Sequence, residues 1–408
     1  MLSSFATTSN VPACSVTVIA ENIGHTAIQD AIDNAETHVT GPVVCVGPGT
    51  FPEQLKITSS GITLRGLGTV SNPTKIQPTS AVPNSISPDT GNAQINIIVV
   101  ESEVLNSITG ITVSNLVVDG SMLTSYFTTA GFSCGLPITG NPFGYEGILF
   151  QNAGGVISGN TVENILLPSN LAGCQPGDAI LVQSSPTWYA SVMITNNKAL
   201  NYNKNGITCN DPGTSCWISG NTVSFYTPYE SNIAPNGIQI AFLAWGKVTN
   251  NKVSNNICTV TSVCGPNLLT QTQSGGILTD ESKSGTTLSG NTLWNNQIGI
   301  LLFNDTASQS SNKISSSTVA GILQYDGSGT YSASENTLTN NPIGIAVVSD
   351  GSPSPAGYTG TFTSKVGSET FTSDPIHIQI ITQTPGVAIL KFAGHTFTIS
   401  GDSTTNIV

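Results

Sequence analysis

Four apolar segments in the back half of the chain open in the same way, with Gly276-Ile277, Gly299-Ile300, Gly321-Ile322 and Gly344-Ile345. Their starts lie 23, 22 and 23 residues apart. Short polar turns of one kind recur between them: Ser289-Gly290-Asn291-Thr292-Leu293, Ser311-Asn312-Lys313-Ile314 and Glu335-Asn336-Thr337-Leu338. A two-strand unit of this length cannot bury its own apolar side, but stacked on its neighbours it can. Each unit is rich in β-branched residues and bounded by Gly and Asn, with no stretch that reads as an amphipathic helix. Ankyrin, tetratricopeptide and leucine-rich arrays are thereby excluded. The pattern predicts an all-β solenoid, a parallel β-helix, with earlier coils opening at Gly147-Ile148, Ala179-Ile180, Gly206-Ile207 and Gly237-Ile238.

Charge is the unusual quantity. Only 8% of the 408 residues are Asp, Glu, Lys or Arg, against about 25% in a typical soluble domain. The surface must therefore be built of Ser, Thr, Asn and Gln. Arg65 is the one arginine, and the net charge of −12 argues against nucleic acid as a partner, because phosphate binding needs a basic track. No apolar run reaches the roughly 18 residues of a membrane span. A surface poor in paired carboxylates loses little when they protonate, so tolerance of acid is expected.

The eight cysteines suggest clipped loops: Cys14 and Cys45 near the start, Cys134 and Cys174 around the next block, then the local pairs Cys209/Cys216 and Cys258/Cys264. Eight cysteines allow many pairings, so nearness is a preference only. No CxxC occurs, none of the four histidines lies near a cysteine pair, and no metal site is expected. Disulfides imply an oxidising, extracellular or cell-surface location. Met1 to Thr8 lacks the basic start and apolar run of a secretion signal.

Val16 to Gly68 form an opening block. Val16-Thr17-Val18-Ile19 reads as a strand, and Thr26 with Gln29 as a capping box. Ala27, Ile28, Ala31, Ile32 and Ala35 then share one helical stripe. This short N-terminal helix is expected to cover the open end of the stack. The run Ala27-Ile28-Gln29-Asp30-Ala31-Ile32, followed by Val46-Gly47-Pro48-Gly49-Thr50-Phe51-Pro52-Glu53 and Ile62-Thr63-Leu64-Arg65-Gly66, resembles the opening of pectin-lyase-like proteins of the NosD-like and pectin methylesterase-like branches. The resemblance implies a right-handed parallel β-helix with an N-terminal capping α-helix. It spans a family of lyases, hydrolases, esterases, epimerases and surface proteins. The polygalacturonase set Asn-Thr-Asp, Asp-Asp, His-Gly and Arg-x-Lys is absent here, as are the Asp-Phe-Ile-Phe-Gly of pectin methylesterases and the Asp-Pro-His-Glu of alginate epimerases.

Three regions are expected: 1–68, the cap and first coils; 69–350, the β-helix with loop insertions; and 351–408, terminal coils or a β cap. Residues 69–106, rich in Pro, Ser and Asn, read as an excursion between coils, and 121–144 as a second.

Aligning the coils on their Gly-Ile starts places Gln151, Gln183, Asn210, Ala241, Asp280, Phe303, Tyr325 and Val348 in one column, with neighbours about 4.8 Å apart. A polar stretch running into aromatics suits an extended glycan groove. Glu146 and Asp178 precede successive coil starts, and Asp211 and Asp280 come from later coils. A pair of these could serve as acid and base on a glycosidic bond. Uronic-acid elimination needs instead a base and a cation, either Ca²⁺ or a lysine, and Lys198, Lys204 and Lys247 are the basic residues near the central groove. Gln151, Gln183 and Asn210 are candidate sugar-binding amides, and Trp188, Tyr189 and Trp245 candidate stacking platforms. The recurring Asn160, Asn197, Asn221, Asn251, Asn291, Asn312 and Asn336 read as an internal amide ladder. Asn304-Asp305-Thr306 is a weak glycosylation signal.

Two functions fit. The first is an extracellular surface or structural β-helix, adhesive or glycan-binding, that could self-associate through its ends or sides. The second is a polysaccharide lyase or glycoside hydrolase acting in a groove along the rod. Neither calls for a resident cofactor, unless a lyase used Ca²⁺.

Overall fold

In the computed structural model the described residues are 12–19, 27–38, 41–88, 90–102, 107–129, 144–171, 174–227, 233–260, 262–326, 330–350 and 361–408. They form a right-handed parallel β-helix with a short N-terminal helical cap. Three long sheets run along it. The first extends from Val16–Val18 to His395–Ser400, the second from Gly49–Phe51 to Thr370–Thr372, and the third from Leu55–Ile57 to Ser403–Ile407. Among the described residues no helix is long and apolar enough to cross a membrane.

The Gly-Ile starts belong to the third sheet. Ile277, Ile300, Ile322 and Ile345 are register partners in successive rungs, and all are fully buried. The same stack reaches back through Ile238, Ile207, Ile180, Ile148 and Ile98 to Leu55, and forward to Ile378. The glycine before each isoleucine has a steric cause. A Cβ on Gly299 would stand 2.5 Å from the Gly321 carbonyl oxygen, and one on Gly321 would stand 2.8 Å from that of Gly344. Coil backbones approach too closely there for an ordinary side chain.

The corner between the first and second sheets carries the predicted amide ladder. From Asn160 to Asn336 each Nδ2 donates to the Oδ1 of the next rung at 2.9–3.1 Å, and every member is buried. The Glu369 carboxylate ends the series by accepting from Asn336. A second buried polar series lies five residues further along each coil. There Asn256 donates to Asn296, the Ser317 amide to Asn341, and Asn341 to Asp374.

The cap helix spans Ala27–His38 and buries Ile28, Ala31, Ile32 and Ala35. Thr26, the expected cap, lies outside the described residues. The carboxylate of Glu53, from the following coil, accepts from the Ile28 and Gln29 amides at 3.1–3.2 Å and fills that role. Gln29 instead ties the helix to the stack through both backbone groups of Lys56.

The excursion expected over 69–106 is shorter than its composition implied. Thr74–Ile76 joins the second sheet, and Ala93–Glu101 forms a full rung of the third. Ile95, Ile97, Ile98 and Val100 fill the core there without a Gly-Ile start to announce them. Of the second excursion, Leu123–Thr129 is a helix, and 130–143 lie outside the described residues. Past residue 360, two further parallel rungs precede an antiparallel finish. Val387–Phe392 pairs with His395–Ser400, and Ile376–Thr382 with Ser403–Ile407.

Candidate functional site

The outer face of the third sheet presents two side-chain columns between Gly275 and Tyr325. One is Leu278, Leu301 and Leu323; the other is Asp280, Phe303 and Tyr325. Side chains alternate faces along each strand, so with Ile277 and Thr279 inside, Leu278 and Asp280 point outward. These columns floor a cleft of about 320 Å³. One wall is an insertion that contributes Leu268, Leu269, Gln271 and Gln273 and is clipped by the Cys258–Cys264 disulfide. Lys204 and Asn236, from earlier coils, form the other side.

Phe303 and Tyr325 stack at 5.1 Å between centroids and 26° between planes. Tyr325 donates its hydroxyl to Asp350 Oδ2 at 2.7 Å, which fixes the ring. Burial, and then the charges of Glu281 and Asp305, raise the Asp280 carboxyl to about 6. Lys204 donates to the Ala234 carbonyl at 2.8 Å. Burial lowers its pKa, and the charge of Asp178 works against that shift. The cleft thus joins a titratable carboxyl, a lysine, side-chain amides and two stacked aromatic rings. Such a set can hold and polarise a sugar.

The other expected acids lie elsewhere. Glu146 and Asp178 are register partners on neighbouring rungs, with no place in the cleft lining. Asp178 accepts from the Asn205 amide at 3.1 Å and from the Thr208 hydroxyl at 2.9 Å, and burial raises it to about 6. Burial and the nearby Asp178 charge push Glu146 well above the carboxylate range. Its Oε2 has no hydrogen-bond partner among the described residues. Asp211 stands at a left-handed corner, φ 78°, where Asn152, Glu281, Asn304 and Asp326 also sit in other coils. It shapes the turn.

The expected binding residues divide in the same way. Gln183 donates to Gln151 at 2.6 Å, and Gln151 to Glu101 at 2.6 Å and the Ile86 carbonyl at 2.8 Å. Both glutamines are buried in this internal series. Asn210 accepts from Gln239. Trp245 starts a strand of the first sheet, packs edge-on against Trp217 at 5.1 Å and donates to the Gly285 carbonyl. Trp188 is half-buried in a loop, and the adjacent Tyr189 is exposed. Of the expected site residues, Asp280 and Lys204 are the two that line the cleft. Sequence reasoning placed Phe303 and Tyr325 in the right column without assigning them a role, and passed over Gln271 and Gln273. The spacing of Cys258 and Cys264 marked their insertion.

The disulfides Cys14–Cys45, Cys209–Cys216 and Cys258–Cys264 are formed. Cys174 is also disulfide-bonded, while Cys134 lies outside the described residues. Ca²⁺ takes about six to eight oxygen ligands. The cleft offers the single carboxylate of Asp280, and the described residues contain no group of three or more His, Cys, Asp or Glu placed to hold a metal. The donor set does not fit a resident ion.

Residues 187–358 match the family model described as the right handed beta helix region. No curated protein matches the sequence. Among solved structures, the chain is similar to the A-module of the mannuronan C-5 epimerase AlgE4 of Azotobacter vinelandii. That match has 13% identity and a TM-score of 0.51, covering 90% of this chain and 96% of the other. It is also similar to an exopolygalacturonase of Thermotoga maritima, at 11% identity and a TM-score of 0.51, covering 96% of each. A GH136 lacto-N-biosidase of Eubacterium ramulus matches at 12% identity and a TM-score of 0.50, covering 86% of this chain and 63% of that one.

Proposed function

We propose that this chain, which has the right-handed β-helix fold of the pectin-lyase-like superfamily, is an extracellular protein that cleaves a uronic-acid polysaccharide by β-elimination. The observation that carries the reading is Asp280. It is an acid held near about 6, beside the stacked Phe303–Tyr325 pair, in a cleft that also contains Lys204. Hydrolysis by paired carboxylates has less support, since Glu146, Asp178 and Asp211 are not in the cleft lining. The similar folds of a mannuronan epimerase and an exopolygalacturonase agree with an acidic glycan. The disulfides agree with an oxidising compartment.

In the proposed step ionised Asp280 removes the proton alpha to the uronate carboxylate. Lys204 stands two rungs and six residues along the strand from Asp280, roughly 20 Å away. It would hold a neighbouring uronate of the chain, and the charge that gathers on the reacting carboxylate is met by water in the open cleft. The electron pair forms the ring double bond as the glycosidic C–O bond breaks, and the leaving oxygen takes a proton from water in the open cleft. The hydroxide so formed receives the proton from Asp280, which regenerates the base. Phe303 and Tyr325 hold a sugar ring face. Gln273 Nε2, bonded to the Gly265 and Asn267 carbonyls, and Gln271 Oε1, bonded to the Asn267 amide, brace the wall beside it.

A second reading, glycan capture at an extracellular surface without turnover, is favoured by the single carboxylate in the cleft lining. One experiment separates the two. Polygalacturonate, alginate and neutral glucans are offered to the wild type and to Asp280→Asn, reading both unsaturated uronides and calorimetric binding. Elimination predicts products from wild type and at least a hundredfold less from Asp280→Asn, whose binding persists. Binding without products supports capture, and neither binding nor products overturns both readings.

A further inference from the structure

The second sheet carries a pattern on its outer face that neither the fold nor the cleft requires. Lys198, Thr222, Lys252, Thr292 and Lys313 are register partners in five successive rungs, so lysine and threonine alternate along the rod. Successive lysines are two rungs, or roughly 9.6 Å, apart. This column holds three of the chain's eleven basic residues, and all three are exposed. Among the described residues none of them makes an ion pair.

The acids of this face lie at its amino-terminal end. There Lys75 bridges Asp119 at 2.9 Å and Glu163 at 3.9 Å. From Lys198 onward to Thr372 neither outward column contains a carboxylate, in a chain with 23 acids. The second column there holds Ser224, Ser254, Trp294 and Ser315 in register. Trp294 is 37% exposed and stands on the rung between those of Lys252 and Lys313. At the amino-terminal end the column enters a cleft of about 360 Å³, with Val117, Thr161 and Lys198 in its lining together with Val70 and Pro73.

We propose that this face is a second, non-catalytic binding track for a linear anionic polysaccharide. A two-rung step is about the length of one disaccharide in an extended chain. Alternate sugars of such a chain turn their carboxylates to the same side, and each could meet one lysine. Trp294 would take a ring face between two of these contacts. Nucleic acid fits less well, because its phosphates recur about every 3.4 Å along a strand, out of step with lysines roughly 9.6 Å apart. The proposal rests on the lysines and Trp294 alone, and it holds whether or not the cleft is catalytic.

The test uses the full chain in the Asp280→Asn background, so that no polymer is cut. Affinity for long polygalacturonate and alginate is measured against salt, with a neutral β-glucan and a single-stranded oligonucleotide for comparison. The triple variant K198Q/K252Q/K313Q is expected to lose at least tenfold in uronan affinity and much of its salt dependence. K283Q/K365Q/K391Q, which removes the same charge elsewhere, should keep both, and Trp294→Ala should lose affinity with the salt slope retained. Circular dichroism checks that each variant is folded. Wild-type affinity in the first triple variant, an equal loss in the second, or equally tight oligonucleotide binding would each overturn the proposal.

Discussion

At the scale of single residues, Asp280 shows how surroundings assign chemistry. The same residue type at Asp119 is held below its ordinary pKa, because Asn164, Lys75 and Ser121 together outweigh its burial. Asp280 is raised by its burial and then by the charges of Glu281 and Asp305, to about 6. A base must be ionised to act, so turnover should climb with pH and level off above about 6. The kcat/KM profile of the free enzyme on polyuronide reports that titration. A profile already flat from about pH 4 upward would remove Asp280 from the proton transfer. Nothing local in the sequence around Asp280 distinguishes it from Asp211. The strand register separates them, because one ends on an outward column and the other in a left-handed corner.

At the scale of elements, the amide ladder couples one coil to the next. Asn251 donates to the Ile218 carbonyl and to Asn291, and its Oδ1 accepts from both the backbone and the side chain of Asn221. Asn251→Ala takes the acceptor from the Asn221 amide and the side-chain donor from the Ile218 carbonyl, while Asn291 Oδ1 and Asn221 Nδ2 keep other partners. Two groups at about 1–3 kcal/mol each cost about 2–6 kcal/mol before relaxation. Urea unfolding followed by circular dichroism measures it. A loss under about 1 kcal/mol would mean that packing alone keeps the coils in step. The ladder was readable because its asparagines recur once per coil beside a turn. The second polar series was readable in the same way, from the five-residue spacing of Asn251 to Asn256, Asn291 to Asn296 and Asn336 to Asn341. It was missed because a single asparagine per coil already explained the turns.

For the whole molecule, the buried carboxyls reverse the usual effect of acid. Glu146 is raised well above its ordinary value, Asp178 and Asp280 to about 6, and Glu369 to about 7. In each the folded chain holds a proton to higher pH than the unfolded chain does. Their contribution to stability is therefore complete below the unfolded carboxylate range, near about 4, and is lost as pH rises through about 6 to 7. Asp119, held low, works in the opposite sense. Thermal unfolding should occur a few degrees higher at about pH 4.5 than at about pH 7.5. A lower melting temperature at the acid end would show that paired carboxylates such as Asp119 dominate instead. The low charge content predicts acid tolerance, and the burial of these groups, with Asp305 and Glu163 raised in the same sense, gives the effect its sign.

The sequence by itself determined the architecture. A solenoid repeats its physics once per coil, so the Gly-Ile starts, the β-branched runs and the turn asparagines each state the same constraint many times. It also determined the strand register, because isoleucines spaced by a coil can be buried only by stacking. Where the chain left that rhythm, as in Ala93–Glu101, the rung was hidden by irregular neighbours. The tertiary structure alone decided which outward positions stay open. An insertion clipped at Cys258–Cys264 walls one stretch of a column, while glutamines higher in the same column are buried and bonded to one another. Exposure there depends on where loops fold back over the rod, and no periodicity in the chain encodes that.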